Sequence, residues 1–306
     1  MGWLVFFGSI FFMKKKLTVI GLLLFITFSG FCKGLLELTV SPFVGLSDCK
    51  MDELLYNMEG SVRSLLEWEQ ATIFDLGFKL DARFNRYDFA LSFSYSIPCK
   101  NGQMTDSDWE DGSKYSITNH PVIKFKNIDS WLDFSYMLYE DQVFTFAPVI
   151  QLEYFYTAFN AGKGSGIRYN NPVNVYGVDY SRHSVFSFLG IRSKLNITPL
   201  IFLGADLLFS PFCYQNSFDY HHGQVHPFNS NDIQTGFFSK YKFSLSGGIN
   251  ISPKISLELQ FSSIFGGPDK GKLITDYYNG TMLQADEKSG ARILYKSCTF
   301  FINFNL

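Results

Sequence analysis

Phe144-Thr145-Phe146-Ala147-Pro148-Val149-Ile150-Gln151-Leu152-Glu153-Tyr154-Phe155-Tyr156-Thr157 is the stretch whose reading decides the fold. Its even positions are apolar without interruption, and its odd positions include Thr145, Gln151, Glu153 and Thr157. A strand sends successive side chains to opposite faces, so this run has one greasy face and one polar face. The pattern recurs. Tyr241, Phe243, Leu245 and Ile249 alternate with Lys242, Ser244, Ser246 and Asn250. Ile255, Leu257, Leu259 and Phe261 alternate with Ser256, Glu258, Gln260 and Ser262. Tyr87, Phe89, Leu91, Phe93 and Tyr95 alternate with Asp88, Ser92 and Ser94. A half-buried soluble strand reads this way, and so does a barrel strand with lipid outside and polar groups inside.

The connections separate these cases. Strands are expected near 36–57, 61–83, 86–98, 120–140, 142–160, 175–195, 198–217, 233–251, 254–266 and 288–306. Tight turns fall at Asn85, Glu140-Asp141, Ile197-Thr198 and Ser252-Pro253. Long polar connections fall at 99–119, 161–174, 218–232 and 267–287, with a short one at Glu59-Gly60 on the same side. Antiparallel hairpins put alternate connections at opposite ends, so the turns sort to one end and the loops to the other. This predicts an all-β fold, a ten-stranded antiparallel transmembrane β-barrel with long extracellular loops and short periplasmic turns. Phe300, Ile302, Phe304 and Leu306 carry the alternation to the last residue, as a closing strand would. Closure also removes the sheet edges that such faces would otherwise expose.

Composition agrees. Of 306 residues, 34 are Phe and 17 are Tyr, an aromatic content suited to lipid-facing strands. A net charge of −2 gives no reason to expect a nucleic-acid partner. Five cysteines without a Cys-x-x-Cys pair suggest neither a zinc site nor a disulfide framework. Lys14-Lys15-Lys16 precede an apolar run from Leu17 to about Phe28, then Ser29 and Gly30, the layout of a secretory signal. Residues 1–33 are read as a signal peptide, with Met13 as the expected true start and cleavage between 29 and 34. Phe31 before Cys32 fits lipid attachment poorly, so simple cleavage is preferred. Residues 34–306 then form one barrel domain in the bacterial outer membrane.

Two polar motifs fall in connections on the same side. Asp106-Ser107-Asp108 lies in 99–119, and Asp219-Tyr220-His221-His222 lies in 218–232. A carboxylate two residues from an imidazole shares its side of an extended chain, fixes its tautomer and strengthens it as a base. Register is the difficulty. Asp206 suggests an even inward face for its strand, whereas Asp219 and His221 are odd. A bulge near Pro211 must shift the register if they face inward. His221, His222 and His226 with Asp219 could also be read as a metal set, but His-Glu-x-x-His is absent and no metal is assigned. Ala161-Gly162-Lys163-Gly164-Ser165-Gly166 has the look of a phosphate loop, but with no helix following it is read as a flexible tip. Trp68, Trp109 and Trp131 are read as belt or packing residues.

The motifs together resemble the omptin family of outer-membrane aspartate/histidine endopeptidases. Ser64-Leu65-Leu66-Glu67-Trp68 resembles its Ser-x-Leu-x-Trp run, and Met104-Thr105-Asp106-Ser107-Asp108-Trp109 its Asp-x-Asp-Trp motif. His120-Pro121 resembles the His-Pro opening the fourth strand, and Asp219-Tyr220-His221 its Asp-x-His. The resemblance implies a proteolytic groove at the outer rim. His221 would be the base, oriented by Asp219, with Asp106 and its supporting neighbour Asp108 opposite. Water held between His221 and Asp106 would attack the scissile carbonyl without an acyl-enzyme. Polypeptides would be the substrates, outer-membrane lipid the surroundings, and a monomer the working state. No cofactor is implied, though lipopolysaccharide would be an activator; no clear basic cluster to bind it stands out. Glu53, placed through Tyr56, would be one acid of the specificity pocket. The other acid falls at Ser217, so one of two carboxylates is missing and a preference for Arg or Lys does not follow. That departure keeps open a non-catalytic barrel, an adhesin or structural protein retaining these motifs. A small pore is the third reading and ranks below the others, because ten strands leave little lumen once side chains fill it.

Overall fold

The computed structural model describes residues 36–222, 228–277 and 281–306. The expected signal peptide, Cys32 and His226 lie outside the described residues. All elements among the described residues are strands. In chain order they are β1 (Leu36–Tyr56), β2 (Val62–Phe84), β3 (Tyr87–Ser96), β4 (Gly102–Glu110) and β5 (Ser113–Tyr136). There follow β6 (Tyr139–Glu140), β7 (Phe144–Ala161), β8 (Gly164–Arg168), β9 (Asn171–Val175) and β10 (Val178–Asn196). The last are β11 (Ile201–His221), β12 (Phe228–Gly236), β13 (Lys240–Ser252), β14 (Ile255–Tyr277) and β15 (Met282–Asn305).

The sheet closes on itself. Antiparallel pairing runs β1–β2–β3–β5–β7–β10–β11–β13–β14–β15 and returns to β1. β4 continues above β3 between β2 and β5, and β12 continues above β13 between β11 and β14. β8 and β9 prolong the hairpin of β7 and β10, β8 pairing with β5. The expected long loops are therefore largely strand. Region 99–119 holds β4 and the start of β5, turning at Asp111 and Gly112, both with positive φ. The Gly-rich stretch read as a flexible tip runs into β8, whose hairpin turns at Tyr169-Asn170. The physical reason is simple. Strands that rise beyond the lipid have water outside, so their outer faces turn polar and the hydropathy period vanishes while the pairing continues.

Within the lower half the barrel is inside-out relative to a soluble protein. Phe74, Leu76, Leu91, Leu132, Ile150, Leu152, Leu207 and Phe261 project outward and are exposed to the lipid side. Asp75, Asp133, Glu153 and Lys242 are buried within. Asp133, Glu153 and Lys242 are paired with opposite charges, while Asp75 accepts from the hydroxyls of Ser47, Ser96 and Tyr295. Arg192 Nη2 meets Asp133 Oδ2 at 2.7 Å and its Nε meets Asp206 Oδ1 at 3.0 Å. Lys242 Nζ meets Glu153 Oε2 at 2.6 Å. Trp131 also faces inward, under the ammonium groups of Lys79 and Lys242, and is a packing residue rather than part of an interfacial belt. A polar cavity of about 560 Å³ fills this lower lumen and reaches the short-turn end near Thr39 and Asn305.

A girdle of irregularities separates the two halves. The inward face changes parity near Thr72 on β2, whose φ is 55°, and at the shift between Val122 and Lys124 on β5. On β11 the buried positions are even through Ser210 and odd from Cys213, with the pairing shift opposite Ser187 and Leu189. That is the bulge that Asp206 and Asp219 together required. Above the girdle the lumen is closed by aromatic packing. The Trp68 ring stacks on Tyr180 at 5.0 Å and tilts against Phe159 at 5.3 Å, all three buried.

Candidate active site

Upper β11 carries the first half of the site. Beyond the bulge at Pro211, Cys213, Gln215, Ser217 and Asp219 are buried inward. His221 follows on the same face, and its Nε2 lies 2.6 Å from Asp219 Oδ2. A carboxylate only accepts, so the imidazole proton sits on Nε2 and the lone pair of the neutral ring is on Nδ1. Phe228 of β12 stacks on the imidazole at 4.2 Å and fixes its plane. His222 points elsewhere, its exposed ring bonding Asp179 at 3.0 Å.

β4 supplies the other wall. Asp106 pairs with Leu66 and Thr118 and Asp108 with Ser64 and Ser116, so β4 is held between two strands along this length. Burial pushes the Asp106 carboxyl up to about 7, Asp108 adds to the rise, and His221 and Arg168 oppose it. Asp106 Oδ1 is buried without a hydrogen-bond partner among the described residues. His120 belongs to the same interior. Burial lowers its basicity, with a further push from His221. The sequence placed His120-Pro121 at the opening of a strand; β5 begins at Ser113 and the pair sits inside it. His120 Nδ1 donates to Gly162 O at 2.9 Å and Nε2 accepts from Thr118 Oγ1 at 3.2 Å, which makes it a fixed part of the wall.

Beneath the imidazole and carboxylates lies a buried polar layer. Glu53 of β1 is 2% exposed, and burial, Asp219 and Asp232 together hold its carboxyl well above the usual range. Ser217 is buried directly opposite Asp232 in the β11–β12 pairing. Arg182 crosses the lumen from β10, donating from Nη1 to Arg292 O and from Nη2 to Asp52 O, each at 2.9 Å. No group of three or more His, Cys, Asp or Glu side chains suited to a metal ion occurs among the described residues.

The sequence matches the description of the Omptin family over residues 35–306. The chain belongs to the omptin family. Among solved structures its fold is similar to outer membrane protease OmpT from Escherichia coli, with a TM-score of 0.80 at 14% identity over 88% of this chain and 97% of that one. The translocator domain of the autotransporter NalP from Neisseria meningitidis aligns at a TM-score of 0.41 and 10% identity over 88% of each chain. A search of curated protein sequences matches none.

In this omptin, then, Asp106, Asp108, Asp219, His221, Glu53 and Ser217 all lie in the upper lumen, on β1, β4 and β11. Sequence reasoning missed Asp232, Arg182 and Tyr180. Asp232 stood in a polar stretch read as loop, and only the β11–β12 register shows that it faces Ser217. Arg182 stood in a region of polar residues with no motif around it, and its role depends on carbonyls more than a hundred residues away, with sequence separations of 110 and 130.

Proposed function

We propose that this omptin is an outer-membrane endopeptidase that cuts extracellular polypeptides, its hairpin end facing outward. The observation that carries the reading is the Asp219–His221 hydrogen bond of 2.6 Å on one wall with Asp106 and Asp108 on another, close enough for His221 to act on the ionisation of Asp106. Water between His221 Nδ1 and Asp106 gives one hydrogen to the imidazole and points the other at the carboxylate. Its lone pair is then free to attack a scissile carbonyl. Asp219 stabilises the imidazolium that forms, and the imidazolium returns the proton to the leaving amine. Asp106 must be ionised, because a protonated carboxyl would donate into the attacking lone pair. Asp108 tunes that ionisation. The chain works as a monomer without a cofactor, with lipopolysaccharide as an activator.

The test is cleavage of a mixed peptide library by refolded protein, with and without lipopolysaccharide. Asp219→Ala and His221→Ala are expected to lose cleavage, and His222→Ala to keep it. Intact wild-type barrel that cuts nothing under either condition is instead a non-catalytic member retaining the motifs.

A further inference from the structure

Ser217 leaves the substrate pocket one acid short by sequence, and the structure supplies an acid from the neighbouring strand. We propose that Asp232 is a specificity-determining residue, which with Glu53 forms a two-carboxylate seat for a cationic side chain of the substrate. The inference rests on the reading of the site as a protease.

The placement comes from register. Asp232 pairs across the strands with Ser217, and Ser230 with Asp219, so Asp232 sits one inward position deeper than the dyad. Glu53 approaches from β1, whose neighbours in the sheet are β2 and β15. Both acids are almost wholly buried, at 2% exposure for Glu53 and 1% for Asp232. Asp232 Oδ1 accepts from Ser230 Oγ at 3.2 Å, and the carboxyls of Glu53 and Asp232 lie against each other, while among the described residues no donor meets Asp232 Oδ2 or Glu53 Oε2. Such groups are costly to bury unless something completes them.

The resident cation does not. The Nη atoms of Arg182 are committed to the carbonyls of Arg292 and Asp52. It tempers the field of the two acids without bonding either, and no salt bridge to Glu53 or Asp232 forms among the described residues. Burial pushes Asp232 up to about 7, against a hydrogen bond shared with Glu53 that lowers it, and the charge of Asp219 adds to the rise, so in the empty site the pair holds a proton. An incoming guanidinium or ammonium replaces that proton as the positive partner. Ser217 contributes its hydroxyl where a third acid would crowd the pair. Cation recognition therefore strengthens as pH rises and the proton leaves.

The experiment uses two peptides that differ only at the residue preceding the cut bond, arginine in one and its neutral isostere citrulline in the other. Wild type is expected to favour arginine by about a hundredfold in kcat/KM, as a buried charge pair does. Asp232→Asn should collapse that ratio to within about threefold while citrulline peptide is still cut, because a lost charge partner removes discrimination and not chemistry. The exchange variant Ser217→Asp/Asp232→Ser should restore the ratio, and heat-dependent migration of the barrel on gels reports folding for each protein. A ratio unchanged in Asp232→Asn, or a wild type indifferent to the charge, overturns the proposal and leaves the protease reading standing. Failure to cut either peptide, or any peptide of the library, removes both.

Discussion

At the residue scale the site turns on which proton sits where. Asp219 binds Nε2 and leaves Nδ1 as the base. Asp219→Asn would keep the shape but offer an amide, which can drive the ring into the wrong tautomer, so kcat should fall about a hundredfold or more with KM little changed. Steady-state kinetics on a single cut peptide check this; an equal rise in KM with kcat preserved would make Asp219 a binding group only. The acid limb of the pH profile belongs to Asp106. Its carboxyl is raised to about 7, so activity is expected to be lost as pH falls through that value and to level off above it. The charge of Asp108 is one of the causes of the rise, and Asp108→Asn removes it. The sign follows: the limb moves to lower pH and the variant outperforms wild type on the acid side. A kcat/KM profile whose limb stays in place, or moves up, contradicts the assignment.

At the element scale, the decisive feature is a one-residue irregularity. Below Ser210 the inward face of β11 is even, and above Pro211 it is odd. Deleting Pro211 removes the offset and turns Asp219 and His221 toward the outside, since a slip of one residue exchanges the faces of a strand. A barrel that still migrates as folded but cuts no peptide is the expected result; retained cleavage would mean the bulge does not set the site. This bulge also marks how far the sequence could be read. In the lipid the outer face must be apolar, so alternation located every stave of the lower barrel and fixed Asp206 as inward. The conflict of parity between Asp206 and His221 was visible too, and with it the need for a shift at Pro211. Above the lipid no solvent difference distinguishes the faces of 102–110 or 228–232, and these stretches read as loops. Asp106, Asp108, Asp219 and His221 were found through their spacing in spite of that. Asp232 was not, because its meaning is a cross-strand neighbour rather than a motif.

At the scale of the whole molecule, lipid outside and charge inside leave open whether the cylinder conducts. The lower lumen is polar and reaches the short-turn end. Above it Trp68, Tyr180 and Phe159 pack ring against ring from three strands, and Arg182 ties β10 to carbonyls of β1 and β15. Ions entering from below therefore meet a dry layer in which every side chain just named is buried to 2% exposure or less. A charge without its water cannot cross such a layer at useful rates. Wild-type protein in a planar bilayer is expected to give no unitary current steps, and the reading as a pore would require them. The same layer carries stability. Trp68 is wholly buried. Trp68→Ala should cost roughly 3–5 kcal/mol, the range for truncating a buried Trp in a packed interior. Denaturant unfolding of vesicle-inserted protein measures the loss. If the ring is the plug, the same variant should begin to conduct, because Trp68 lies between the polar lumen below and the hairpin end above. Loss of stability with silence in the bilayer would place the barrier in Arg182 and its carbonyl partners instead, and Arg182→Ala would then be the variant that opens.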